Sequence, residues 1–185
     1  MEFFTLADLV KVTGAKRRSL QLWADAGVIK AKKGTHRAGT GTHRLFPTEE
    51  AIVACIVHAF ALHQIAIGEL LNISARIRDA VRPHGKRKEA FRVDDELTDD
   101  QKKKAIFLAA IEGDASWLLL YESWRKNVGP LEEGRTESRT VSTVTAIKAD
   151  KDMRTPFHLA ESEGFAAVIC LATYLSRLAP YTHSE

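Results

Sequence analysis

A chain of 185 residues that is 45% hydrophobic and 28% charged holds one domain or two small ones and has an ordinary globular balance. No apolar run is long enough to span a bilayer, and Met1-Glu2-Phe3-Phe4 lacks the basic region and long apolar core of a secretory signal, so a cytoplasmic location is expected. The net charge of +3 hides an asymmetry: residues 1–90 carry 15 Lys and Arg against 8 Asp and Glu, for +7, while residues 91–185 carry 12 against 16, for −4, so a polyanion would meet the front half.

The first stretch with strong local signals is Phe4 to Ile29, FTLADLVKVTGAKRRSLQLWADAGVI. Thr5 is a good N-cap, and Leu6, Leu9 and Val10 follow at helical spacing. Gly14 ends that helix by adopting a conformation other residues resist. In a second helix, spanning 15–26, Leu20 and Trp23 repeat at i, i+3. Lys16, Arg17, Arg18 and Gln21 fall largely on the opposite side, and Gly27 stops the helix. Two short helices around a Gly turn, the second basic on its free face, read as a helix-turn-helix.

These residues resemble the winged helix-turn-helix of MerR-type transcriptional regulators. The matching residues are Thr5-Leu6-Ala7-Asp8-Leu9-Val10, Thr13-Gly14-Ala15-Lys16, Arg18-Ser19-Leu20-Gln21-Leu22-Trp23-Ala24 and Gly27-Val28-Ile29, with no gap. Gly41-Thr42-His43-Arg44-Leu45-Phe46-Pro47-Thr48-Glu49-Glu50 is similar to that family's return from its wing. The likeness covers about residues 3–80, within an expected domain of residues 1–81. It implies double-stranded DNA as partner, with the second helix in the major groove and Arg18 on a phosphate. The family's Tyr-Tyr pair is Leu22-Trp23 here, so one hydroxyl contact is lost.

After Ile29, Gly34-Thr35-His36-Arg37 recurs as Gly41-Thr42-His43-Arg44. Two extended arms around a Gly/Thr tip make a β hairpin, a wing over residues 30–46. Lys32, Lys33, Arg37 and Arg44, with His36 and His43 beside them, are placed for phosphates or a minor groove. A solvated loop with incidental charge is the alternative. Lys16, Arg17 and Gln21 are the candidates for base edges, because their long donors reach guanine or adenine.

Pro47-Thr48-Glu49-Glu50 starts the next helix, with Thr48 as N-cap and two acids at its positive end. Ile52, Ile56, Ala59 and Phe60, widened by Val53 and Val57, predict a largely buried helix. A further helix carries Ile67, Leu70, Leu71, Ile73, Ile77 and Val81. In MerR-type proteins a helix here leads into a long dimerisation helix. In this chain Arg82-Pro83-His84-Gly85 interrupts it.

Residues 82–97 read as a linker, with a possible short strand at Ala90-Phe91-Arg92-Val93, and residues 98–185 as a small α+β dimerisation or effector domain. Thr98-Asp99-Asp100-Gln101 resembles a capping box for a helix ending at Gly113. In Ser116–Trp124, Trp117, Tyr121 and Trp124 would share a helix face, yet the segment also reads as a buried strand. Its partner is the β-branched run Arg139–Ile147, and a two-stranded antiparallel unit is preferred. Thr155-Pro156 begins a last helix, and Phe165, Val168, Ile169, Leu171, Ala172, Leu175 and Leu178 make it evenly apolar.

The fold class expected is therefore mainly α with small β elements, a winged helix-turn-helix followed by a small α+β domain. Cys55 and Cys170 sit in apolar stretches taken as helical, which suits a reducing compartment and excludes a disulfide framework. His158 and Glu161 at i, i+3 lack further ligands, and no catalytic constellation stands out. The expectation is a non-enzymatic, sequence-specific DNA-binding regulator with no cofactor and no metal. It pairs as a homodimer held mainly by residues 98–185, with the last helix at or near the interface, and any small-molecule effector is unknown. An excisionase-like or phage DNA-packaging-like architectural protein is the alternative.

Overall fold

The computed structural model describes residues 3–35, 43–81, 91–93, 100–130, 136–148 and 164–182. Their order is β1 (Phe3–Thr5), α1 (Leu6–Thr13), α2 (Arg17–Asp25), β2 (Leu45–Pro47), α3 (Thr48–Leu62), α4 (Ile67–Val81), β3 (Phe91–Val93), α5 (Asp100–Ile111), β4 (Trp117–Pro130), β5 (Thr136–Lys148), β6 (Gly164–Cys170), α6 (Leu171–Leu175), a 3-10 turn (Ser176–Leu178) and α7 (Ala179–Thr182). Helices supply most of this, with two sheets. Among the described residues no helix is long and apolar enough to cross a membrane.

Local chemistry sets the first helix. Thr5 accepts from the Asp8 N–H at 3.2 Å, and the Thr5 N–H donates back to the Asp8 carboxylate at 3.0 Å, a reciprocal cap. Gly14, at φ +74°, closes the other end by donating to the Val10 carbonyl. The Thr13 hydroxyl then accepts from the Ala15 N–H at 3.0 Å, fixing the turn into α2. β1 and β2 pair antiparallel, Phe4 opposite Phe46, and tether the start of α1 to the start of α3.

Helix α3 is the central strut. Its residues 50–57, with Ala59 and Phe60, are all buried. It packs against α1, α4 and α6. Thr48 is its first residue and Pro47 takes the cap position expected for Thr48. The fixed φ of proline already presets the entry into a helix. Glu49 and Glu50 stand in its first turn as expected, and Glu50, 2% exposed, is also bonded to Arg78 of α4.

The second sheet has four strands in the order β3-β5-β4-β6. β4 and β5 pair antiparallel, Trp117 opposite Lys148 and Trp124 opposite Val141, as the β-branched run predicts. β3 joins β5 in parallel, and β6 joins the far side of β4. In β4 the side chains of Trp117, Leu119 and Tyr121 are buried at strand spacing, not along a helix face. The Tyr121 ring meets Phe60 edge-on at 5.7 Å, and its hydroxyl bonds the Glu69 carboxylate, docking the sheet on α3 and α4.

The evenly apolar helix expected through Phe165–Leu178 is a correction. Gly164–Cys170 is a strand, and only Leu171–Leu175 continues as α-helix. An all-apolar run carries no period to separate helix from strand, and an open edge of β4 decides it. Cys170 accordingly ends a strand, whereas Cys55 lies in α3. Leu171, Leu175 and Leu178 are fully buried, while Thr173, Ser176 and Arg177 of the same segment are exposed. The residues 98–99 of the expected capping box, the turn at 131–135 and Thr155-Pro156 with His158 and Glu161 lie outside the described residues.

Candidate nucleic-acid interface

Helix α2 is anchored by two side chains. Leu20 and Trp23 are buried, and Trp23 lies 6.2 Å from the His58 ring on α3. Burial, aided by the nearby Arg177, lowers the His58 pKa, which keeps this contact with a neutral ring. Burial also pushes the Cys55 thiol up to about 12, leaving it a core group.

The rest of α2 faces outward. Lys16, Arg17, Arg18 and Gln21 are all exposed, and Leu22 is 56% exposed beside them. The first turn contains no acid, and Lys16 at the cap position makes no side-chain cap bond. Cations at the positive end of a helix dipole oppose α2's own stability. The same arrangement concentrates backbone N–H groups and cationic side chains at one point, the electrostatics that receive a phosphate.

Across from this face lies the descent into β2. An open cleft of about 690 Å³ is lined by Thr5, Leu6 and Ala7 of α1, by Arg17, Gln21 and Asp25 of α2, and by His43 and Arg44. Arg17, Gln21, His43 and Arg44, all expected at the site, meet there. The Arg44 Nη2 donates to the Asp25 carboxylate at 2.7 Å, which ties the loop to the end of α2. Lys32 and Lys33 are exposed outside the cleft, and the Lys32 ammonium sits 4.2 Å over the Phe3 ring. His36 and Arg37 lie outside the described residues.

Lys32 and Thr35 are both hydrogen-bonded to Leu45. The Lys32 N–H donates to the Leu45 carbonyl at 2.7 Å, and the Thr35 hydroxyl to the Lys32 carbonyl at 2.6 Å. Sequence reasoning missed Asp25, because nothing local signals its partner 19 residues away. It also missed Glu50 and Arg78, although an acid opening an otherwise apolar helix and an arginine beside the Ile73, Ile77 stripe were both visible signals.

No family model matches this chain, and no curated protein matches it.

Proposed function

We propose that the chain is a MerR-like, sequence-specific DNA-binding protein that regulates transcription. The observation that carries this is the face of α2: Lys16, Arg17, Arg18 and Gln21 exposed together, with the dipole-opposing cations uncompensated by any acid in the first turn. On this reading α1, the Gly14 turn and α2 form the helix-turn-helix, and the 30–46 segment is the wing. Helix α2 enters the major groove, where Lys16, Arg17 and Gln21 read base edges. Arg18, Lys32, Lys33, His36, Arg37, His43 and Arg44 serve phosphates or the minor groove. Two copies on a two-fold site supply paired half-sites, held together mainly by residues 98–185.

The test is titration of a fluorescent random duplex at several salt concentrations, followed by sequencing of fragments selected from a random pool. Binding that weakens steeply with salt, with a recovered consensus, is expected. No binding at low salt would falsify the reading.

One observation favours a second reading, an excisionase-like or packaging-like architectural module. The apolar face of α4 (Leu70, Ile73, Ile77 and Val81) is buried inside this one chain. Arg82-Pro83-His84-Gly85 follows it in the sequence, where the family's dimerisation helix would continue. A palindromic consensus supports the regulator; tandem sites at one locus support the module.

A further inference from the structure

We infer that the buried Glu50–Arg78 pair is a positioning device for residues 28–32, directly after α2, resting on the DNA-binding reading above. Glu50 is 2% and Arg78 5% exposed. The Arg78 Nε donates to Glu50 Oε1 at 2.6 Å and its Nη2 to Glu50 Oε2 at 2.9 Å, a two-point fork. The Arg78 Nη1 donates to the Ser74 hydroxyl at 3.1 Å, and the Nη2 also donates to the Val28 carbonyl. Glu50 Oε2 accepts the Lys30 N–H at 2.8 Å. Every guanidinium nitrogen is used.

The targets outside α3 and α4 are backbone groups of one short segment. The Val28 carbonyl goes to Arg78, the Ile29 N–H to the Trp23 carbonyl at 3.2 Å, and the Lys30 N–H to Glu50. Three consecutive residues, directly after α2, are thus fixed from both sides. Two residues further on, Lys32 opens the pairing with Leu45. The pair therefore sets the angle at which residues 28–32 leave α2, and so where Lys32, Lys33 and Arg44 stand relative to Arg17 and Arg18. Stability alone is a poor reason for this pair, since apolar residues of similar volume commonly replace a buried ion pair without loss. What they cannot replace is a fork that meets a carboxylate and a carbonyl together.

Arg78→Lys keeps the charge beside Glu50 but has one nitrogen for tasks that Arg78 divides among three. In the full chain this variant is expected to speed amide exchange at Lys30 and Lys32 selectively and to weaken duplex DNA binding roughly tenfold. Exchange in α1 should move little, while the thermal midpoint falls because the buried Val28 carbonyl loses its donor. The double variant Glu50→Leu with Arg78→Met removes the buried charges altogether and carries the test should Arg78→Lys fail to fold. Wild-type exchange at Lys30, wild-type DNA affinity, or exchange that rises equally in α1, α3 and residues 28–32 each overturn the proposal. The last outcome marks a merely structural pair. A wild-type chain that binds no duplex overturns the DNA-binding reading instead, and selective exchange at Lys30 then decides the latch by itself.

Discussion

Arg17 and Arg18 are neighbours in sequence, both exposed on α2, yet only Arg17 lines the cleft shared with Gln21, His43 and Arg44. On the proposed reading that difference separates their tasks. Arg18→Ala should weaken binding to every duplex alike and lower the log–log salt slope by about one unit, because one phosphate contact and its counterion are lost. Arg17→Ala should cost roughly 1–3 kcal/mol on the selected site and little on random DNA, the signature of a base contact. Titrations of both variants on selected and random duplexes at several salt concentrations check the pair. Equal losses on both duplexes for Arg17→Ala would make it a backbone contact.

Helix α1 concentrates its stability in its two ends. The Thr5 hydroxyl and N–H both bond the Asp8 carboxylate, and these bonds hold its pKa below the ordinary value of 3.8. A carboxyl depressed by folding contributes stability that is fully present above its unfolded pKa and lost as pH falls through the folded one. Asp8→Asn should therefore lower stability at neutral pH and flatten its decline below pH 3.8, measured by denaturant unfolding across that range. Gly14 at the other end of α1 and Gly27 just after α2 both have positive φ, +74° and +79°. A Cβ at Gly27 meets open space, while one at Gly14 would lie 2.7 Å from the Arg177 guanidinium, which donates to the Thr13 carbonyl. Alanine at either should cost about 1–2 kcal/mol for the left-handed backbone. Gly14→Ala should cost more by whatever displacing Arg177 adds, as denaturant midpoints will show. These ends were legible because a cap and a glycine act within a few residues of themselves. The β4–β5 hairpin was legible for a related reason, since its β-branched run favours one conformation. Gly164–Cys170 was not, because an unbroken apolar run is consistent with either element until a neighbouring strand edge is known. The Glu50–Arg78 pair spans 28 residues, and the partner of a charge at that distance is set by how α3 packs on α4.

The whole chain is sewn together across the boundary that its composition suggests. The Phe4 ring lies 5.4 Å from Tyr181, Phe60 meets Tyr121, and Arg177 caps α1. One continuous buried cluster runs from Phe4 through α3 to Leu178. Helix α3 is buried through residues 50–57 and at Ala59 and Phe60, and it packs against α1, β2, α4 and α6, with Leu62 at its end exposed. Remove the later elements and Ile52, Ile56 and Phe60 would keep only part of their cover, and each apolar side chain so exposed is worth about 1.5–3 kcal/mol. Unfolding should therefore be one transition, not a basic front half melting apart from an acidic back half. Leu175, fully buried in α6, is the sharpest probe, because α6 touches α3, α5 and β4. Leu175→Ala is expected to cost about 2–5 kcal/mol by opening a cavity there. Because the cluster is shared, amide exchange should accelerate in α1 and α2 as well as in β4 and β5. Hydrogen exchange read by mass spectrometry distinguishes the outcomes. Acceleration confined to residues 100–182, with α1 and α2 at wild-type protection, would show that the front half stands alone and that the shared core does not bind the two into one cooperative unit.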